Sequence, residues 1–190
     1  MLDAHEIGLM CQPASNAPKA GWVWAADNGA FNAKWDADKW LRWLEKPHPR
    51  SGCLFAVVPD VVADAAATRH RWDQWAPTVA ALNYPLAYVA QDGVTPEEVP
   101  WDELDCLFIG GSTEWKLSEA AYGIASHAID RGKWVHLGRA NSLKRLAAWR
   151  NHAHSADGTF LAFGPKTNAP KVRRWVDALR SEPTLELRGV

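Results

Sequence analysis

Three aspartates stand at the ends of short apolar runs and are followed at once by turn-forming residues. Asp27 closes Trp24-Ala25-Ala26 and precedes Asn28-Gly29, Asp60 follows the run from Cys53 to Pro59, and Asp157 sits in Ser155-Ala156-Asp157-Gly158. Gln91-Asp92-Gly93, Gly110-Gly111-Ser112 and Gly138-Arg139 close three further runs in the same way. An acid so placed is pinned at a strand tip and points out of the sheet. Taken singly, each reads as an Asx-turn or a helix cap. Their recurrence is what points to chemistry. Three carboxylates and an amide converging on one mouth repel each other and raise at least one carboxylate's pKa, a cost that a purely structural barrel has little reason to bear.

Two facing carboxylates suit substitution at an anomeric carbon. One attacks C1′ of the sugar while the other handles the proton of the leaving base, through an oxocarbenium-like transition state. On chemical grounds Asp27 and Asp157 are interchangeable in these roles. A third carboxylate and a glutamine can read an amide-like ring edge, the acid accepting N–H bonds and the amide both donating and accepting. Glycines at a tip let a planar ring approach the backbone closely. Together these features describe a pocket for a guanine-like base.

The elements that must carry these tips follow from the apolar pattern. Strands are expected at His5 to Met10, Trp22 to Ala26, Cys53 to Val58, Leu86 to Ala90, Cys106 to Ile109, Lys133 to Leu137 and Ser155 to Ala156, with a last one at Thr184 to Leu187. Between them, helical periodicity marks Lys34 to Glu45, Asp64 to Leu82 with Asp64 as N-cap, Trp115 to Arg131, Ser142 to Asn151 and Asn168 to Arg180, with a short helical turn near Pro96 to Leu104. Near-continuous apolar strands alternating with amphipathic helices imply a parallel sheet covered by helices. No strand leads into a GxGxxG or P-loop pattern, which argues against a nucleotide-binding open sheet. The expected fold is a compact α/β protein, a (β/α)8 TIM-like barrel forming one catalytic domain over residues 1–190.

Composition narrows the setting. A net charge of −1 over 190 residues calls for no nucleic-acid partner by itself. No long uncharged apolar run is present, so no membrane partner is expected. Met1 to Met10 carries Asp3 and Glu6 and lacks the basic start of a signal peptide. Cys11, Cys53 and Cys106 have no CxxC spacing and read as reduced core or strand residues of a cytoplasmic protein. No metal or other cofactor is called for. The twelve tryptophans, many at helical spacing, read as anchors pinning helices to the sheet.

The turn Asp27-Asn28-Gly29-Ala30-Phe31-Asn32 resembles the acid-Ser-Gly-Gly-aromatic-Gln turn of tRNA-guanine transglycosylases. Asp60, Gln91 in Tyr88-Val89-Ala90-Gln91-Asp92-Gly93, and Phe108-Ile109-Gly110-Gly111-Ser112 follow in that family's order for base recognition. Asp157 falls where the family's nucleophilic aspartate stands. The resemblance implies a base-exchanging pentosyltransferase: Asp157 attacks C1′, guanine leaves, and a 7-deazaguanine base such as preQ0 or a derivative displaces the covalent carboxylate. It makes Asp27 the general acid and base, with Asp60, Gln91, Gly110 and Gly111 gripping the base and Asn28 and Phe31 in the substrate-binding turn. The tRNA enzymes carry a Cys/His zinc site in a C-terminal extension, and this chain has neither its cysteine spacing nor the length. It is more similar to the compact, zinc-less, phage-type enzymes that place 7-deazaguanines in DNA, which would put it in a host cytoplasm. Two alternatives stand beside this one: an N-glycosylase or glycosidase on the same barrel that releases a base to water, and a relative acting on RNA.

Charge distribution agrees with a DNA partner. From Lys133 to Arg180 there are ten lysines and arginines against two acids, Asp157 and Asp177. Lys144, Arg145, Lys171, Arg173 and Arg174 are candidate phosphate contacts, and Arg139 and Lys166 lie nearer the expected tips. His152 and His154 lack further ligands at matching tips and read as a polar helix-end pair, and His136 reads as a satisfied interior residue. Ser112 and Ser155 show no His/Asp partners in sequence, so a serine hydrolase finds no support.

Overall fold

The computed structural model describes residues 7–15, 17–30 and 35–181. Seven strands, β1 (Leu9–Cys11), β2 (Trp24–Ala26), β3 (Cys53–Val57), β4 (Leu86–Ala90), β5 (Cys106–Ile109), β6 (Trp134–Leu137) and β7 (Ser155–Ala156), pair in chain order, every pair parallel. The helices are α1 (Ala37–Leu44), α2 (Ala65–Ala81), α3 (Glu119–Asp130), α4 (Leu143–Ala148) and α5 (Pro165–Ser181), with short 3-10 turns at Pro96–Glu98 and Trp115–Leu117. Crossovers of one hand, the rule for sequential parallel strands, carry the helices to one face of the sheet.

That face is packed by Trp40, Trp43 and Leu44 of α1, Trp72, Ala76 and Val79 of α2, Ala121, Ile124, Ala125 and Ala128 of α3, and Trp149 beyond α4. The opposite face has its own buried cluster of Ala25, Phe55, Val57, Ala87, Val89 and Cys106, joined by Met10, Leu54 and Phe108, all of them strand residues. Strand residues can bury each other without a covering helix only if the sheet curls on itself. The sheet is a half-barrel. One irregularity sits on β3, where Trp24 pairs with Cys53 but Ala26 pairs with Ala56. The extra residue turns both Leu54 and Phe55 inward and tightens the curl.

Several expectations are corrected in detail. The helix expected from Trp115 to Arg131 is broken, because Ser118 is extended (φ −91°, ψ 156°) and caps α3 by accepting from Ala121 N–H. The first strand runs one residue further, to Cys11, and α4 stops at Ala148. The last helix begins three residues earlier, at Pro165, with Pro170 inside it. Asp64 caps α2 through Ala67 N–H. His5 and Glu6 of the expected first strand, Lys34 of the expected first helix and the expected strand at Thr184 to Leu187 lie outside the described residues. The three cysteines are free on β1, β3 and β5, and burial pushes the Cys11 thiol up to about 11 and the Cys53 thiol to about 12. No helix among the described residues is long and apolar enough to cross a membrane.

Trp72 shows how the helix layer is held. It is 1% exposed, meets the Tyr88 ring edge-on at 5.3 Å and donates its indole N–H to Glu103 at 3.0 Å. Trp72→Ala is expected to cost about 3–5 kcal/mol in urea unfolding. Asp64→Ala, which removes only a cap, is expected to cost about 1 kcal/mol.

Candidate functional site

Side chains alternate along a strand, so the inward positions continue past each strand end into the mouth of the half-barrel. Asp27 follows inward Ala25, Gln91 follows inward Val89, and Asp157 follows Ser155, which pairs with inward His136. The tip of β2 is fixed from several sides. Asp27 N–H donates to Cys11 at 2.8 Å, and the carbonyls of Asp27 and Asn28 accept indole N–H bonds from Trp40 at 3.2 Å and Trp35 at 2.9 Å. Ala30 N–H bonds the Asn28 side chain at 2.7 Å and Gly29 N–H bonds Asp27 Oδ1 at 3.3 Å, a pair of Asx-turns.

Asn28, Asp60 and Gln91 form one buried network. Asn28 Nδ2 donates to Asp60 Oδ1 at 2.8 Å and to the Val58 carbonyl at 3.1 Å, while Gln91 Nε2 donates to Asp60 Oδ2 at 2.6 Å. Gln91 Oε1 in turn accepts Ala63 N–H at 2.9 Å. Asn28 is therefore spent within the protein: both amide hydrogens and the oxygen are engaged, and it acts by positioning Asp60. Asp60 and Gln91 keep capacity to spare, since each carboxylate oxygen has a second lone pair and Gln91 a second N–H. Burial raises the Asp60 carboxyl above its ordinary range, opposed by the bonds from Asn28 and Gln91 and by Arg71 nearby.

Asp157 has the opposite surroundings. Burial acts to raise it, but His136 beside Oδ1 at 3.3 Å, the Arg139 backbone N–H at 3.0 Å and the charge of Lys116 together hold it below the ordinary range. Arg139 can aim that N–H because it sits in the left-handed region with φ 58°. Asp27 is pushed up, first by burial and then by the charges of Asp157 and Asp60, with Gly29 N–H and Arg139 opposing. Because every strand pair is parallel, the tips of β2 and β7 lie at the same end of the curled sheet, near enough for the charge of Asp157 to raise Asp27.

No family model matches the chain, and no curated protein sequence matches it. Among solved structures, it is similar to the Bacillus subtilis YkuI protein, which has an EAL domain and was crystallised with its substrate c-di-GMP and calcium. The match has 13% identity and a TM-score of 0.41, and covers 85% of this chain and 45% of that one. A likeness that slight carries no argument about this chain.

The other expected residues divide clearly. Gly110 lies against Gln91, where a Cβ would fall 3.0 Å from Nε2, and Gly111 has φ 74° with no room for a Cβ beside Asp92. That tip is held by Ser112, whose N–H and Oγ both donate to the Asp92 carboxylate, at 2.7 and 2.6 Å. Phe31 lies outside the described residues. Of the cations, Arg139 and Arg145 line a small cleft beside Asp157, with Arg145 donating to the Arg139 carbonyl at 3.4 Å. Lys144 is exposed on α4, and Lys166, Lys171 and Arg174 are exposed on α5. Arg173 pairs with Asp177 at 3.3 Å. His154 stacks on Trp134 at 4.8 Å and His152 packs on Tyr122 at 5.0 Å.

Sequence reasoning missed two groups. Lys116, within Gly110-Gly111-Ser112-Thr113-Glu114-Trp115-Lys116, looks like an ordinary helix-surface lysine. It is 7% exposed, donates to the Gly138 carbonyl at 2.9 Å and lines the cleft with Arg139 and Arg145. His136 is interior as expected, but it touches the Asp157 carboxylate, which its strand position could have signalled: it is the last inward residue of β6.

Asp27→Asn is expected to stabilise the fold at neutral pH. The native state binds the Asp27 proton more tightly than the unfolded chain, so wild-type stability falls as pH rises from the ordinary 3.8 through the raised native value and stays lower above it. Urea unfolding should show the variant's gain at pH 7 and its disappearance below pH 3.8. Asn28→Ala, which leaves Asp60 short of a donor, is expected to cost about 1–3 kcal/mol in the same measurement.

Proposed function

We propose that the chain is a DNA-guanine transglycosylase that exchanges guanine for a 7-deazaguanine base, and that its curled sheet is the greater part of a (β/α)8 barrel. The observation that carries the reading is the placement of Asp27 and Asp157 at the same end of one parallel sheet, Asp27 beside Gly29 N–H and Asp157 beside His136 and Arg139 N–H, surroundings that push the first carboxyl up and the second down. Carboxyls set apart in this way divide the roles of acid and nucleophile between them.

In the proposed reaction the Asp157 carboxylate bonds to C1′ as the C1′–N9 bond breaks, and its electron pair leaves with guanine, which takes a proton from Asp27. The glycosyl ester on Asp157 remains. Asp27, now ionised, removes the proton from the incoming base, whose nitrogen bonds to C1′ and releases Asp157 as carboxylate. The base would lie with its N–H edge toward the spare lone pairs of Asp60 and its carbonyl toward the second N–H of Gln91, with Gly110 allowing the ring close to the strand end. Arg139 and Arg145 would meet phosphates beside the extruded nucleotide, with the buried Lys116 adding its charge from beneath.

Labelled guanine should enter DNA in the presence of the wild-type protein, and mass spectrometry should find a sugar adduct on Asp157. Asp157→Asn is expected to abolish both, and Asp27→Asn to slow exchange by about 10²–10⁴-fold. The pH profile should be a bell, with Asp157 ionising on the acid side below 3.8 and Asp27 losing its proton on the alkaline side above 3.8. Release of guanine to give an abasic site, with no requirement for a second base, would identify an N-glycosylase instead. Exchange that survives Asp157→Asn would overturn the assignment.

A further inference from the structure

A chain of polar groups runs along the inward side of β6 and β7 and ends on Asp157. Trp134 Nε1 lies 2.8 Å from Ser155 Oγ, Ser155 Oγ lies 2.7 Å from His136 Nδ1, and His136 Nε2 lies 3.3 Å from Asp157 Oδ1. The direction of each bond follows from what the groups can do. An indole N–H only donates, so Ser155 accepts from Trp134. An ionised carboxylate only accepts, so His136 must present Nε2–H to Asp157. In neutral His136 the other nitrogen then carries no hydrogen and can only accept, so the Ser155 hydroxyl, which takes the indole N–H on a lone pair, donates to it.

We infer that Trp134, Ser155 and His136 form a one-way hydrogen-bond relay that selects the His136 tautomer and positions Asp157 as an attacking carboxylate, a role that rests on the proposed base exchange. The array has the members of a serine triad in the wrong order for one. The serine is turned to the far side of the imidazole from the mouth, and the carboxylate, not the hydroxyl, faces the site. The imidazole is fixed in plane by Phe108 at 4.7 Å and Phe55 at 5.0 Å, so its nitrogens cannot turn to other partners without repacking the interior. His136 is 4% exposed, which removes water as a competing donor. His136 thus acts through Asp157 as a positioning residue.

Several groups among the described residues act on Asp157. From β6 and the loop after it come His136 and the Arg139 N–H; from the turn Trp115–Leu117 comes Lys116; and Asp27 at the tip of β2 is near enough to feel the Asp157 charge. All but His136 remain when the relay is broken, so substitutions in the relay isolate its share.

The test is a carbon-13 carboxylate titration of Asp157 in the free protein, with exchange kinetics alongside. His136→Leu is expected to raise the Asp157 midpoint by about one pH unit, a tenfold loss of ionised carboxylate below the original midpoint. The acid limb of kcat should move with it while KM stays in place. His136→Gln, whose amide N–H can replace Nε2–H, should recover most of the shift. Ser155→Ala and Trp134→Phe, at half-buried and exposed positions, should give smaller shifts in the same direction and serve if His136→Leu does not fold. An Asp157 midpoint that none of these moves would overturn the relay. The titration needs no nucleic acid, so a wild-type protein that exchanges no base would count against the proposed reaction while the relay is judged by the midpoint.

Discussion

The two-residue period of the strands is the constraint on which the rest of this structure depends. On β2 to β5 the residues facing the interior are apolar, as with Ala25 on β2 and Val89 on β4. The next inward position lies beyond the last paired residue, where the interior meets the mouth. A polar side chain there is aimed inward by the strand beneath it, whatever the loop above it does. Asp27, Gln91 and Asp157 occupy such positions, and parallel strands in chain order bring their ends to one rim. A shift of one residue on any of these strands would turn the tip group toward the helix layer and an apolar residue into the mouth. Alternation therefore fixes both the core and the site.

The electrostatics follow from the same placement. A carboxyl at the top of a dry interior has lost much of its water, which favours its neutral form unless other groups compensate. Asp157 is compensated by three groups that all belong to its side of the rim: an imidazole from the adjacent strand, a backbone N–H aimed by a left-handed residue, and the buried ammonium of Lys116. Asp27 has Gly29 N–H and Arg139 but faces two other carboxyls. The asymmetry lies in the neighbours, because the two acids occupy equivalent positions on their strands. This explains why residue type and spacing left the two interchangeable. What separates them is which strand lies beside each, a tertiary fact.

The same reasoning sorts what was legible in the sequence. Strand positions were readable wherever an apolar run ended in a turn signal, and β4, β5 and β7 fall at the expected residues. The tips could be read for the same reason. Boundaries failed where a single polar side chain decides between continuing and stopping: Ser118 interrupts a segment whose periodicity favours one long helix. Lys116 was invisible because its burial depends on the strands that flank it. Asn28 was legible as a turn residue, but its spending of every polar atom to hold Asp60 depends on a residue 32 positions away. The basic final third divides in the fold, with Arg139 and Arg145 at the rim and Lys166, Lys171 and Arg174 out on α5, a separation that charge counting cannot make.

The tryptophans show how so short a chain keeps buried charge at its rim. Reading them as anchors was correct, since Trp24, Trp40, Trp72 and Trp149 are among the largest fully buried side chains. Each such ring removes roughly 150–250 Å² from water, or about 4–6 kcal/mol at ~25 cal/mol per Å², which lets helices as brief as the six residues of α4 cover a strand. The indole N–H adds a second function that spacing did not reveal. Trp35 and Trp40 hold the carbonyls of Asn28 and Asp27, Trp149 holds that of Lys116, and Trp134 holds the Ser155 hydroxyl. These are positions at or next to the groups that set the charge of the rim. A phenylalanine could supply nearly the same area but would leave those oxygens without their donor. The indoles therefore join the two halves of the problem: the apolar ring offsets the cost of desolvating the rim, and its single donor keeps the backbone beneath the charged groups in register.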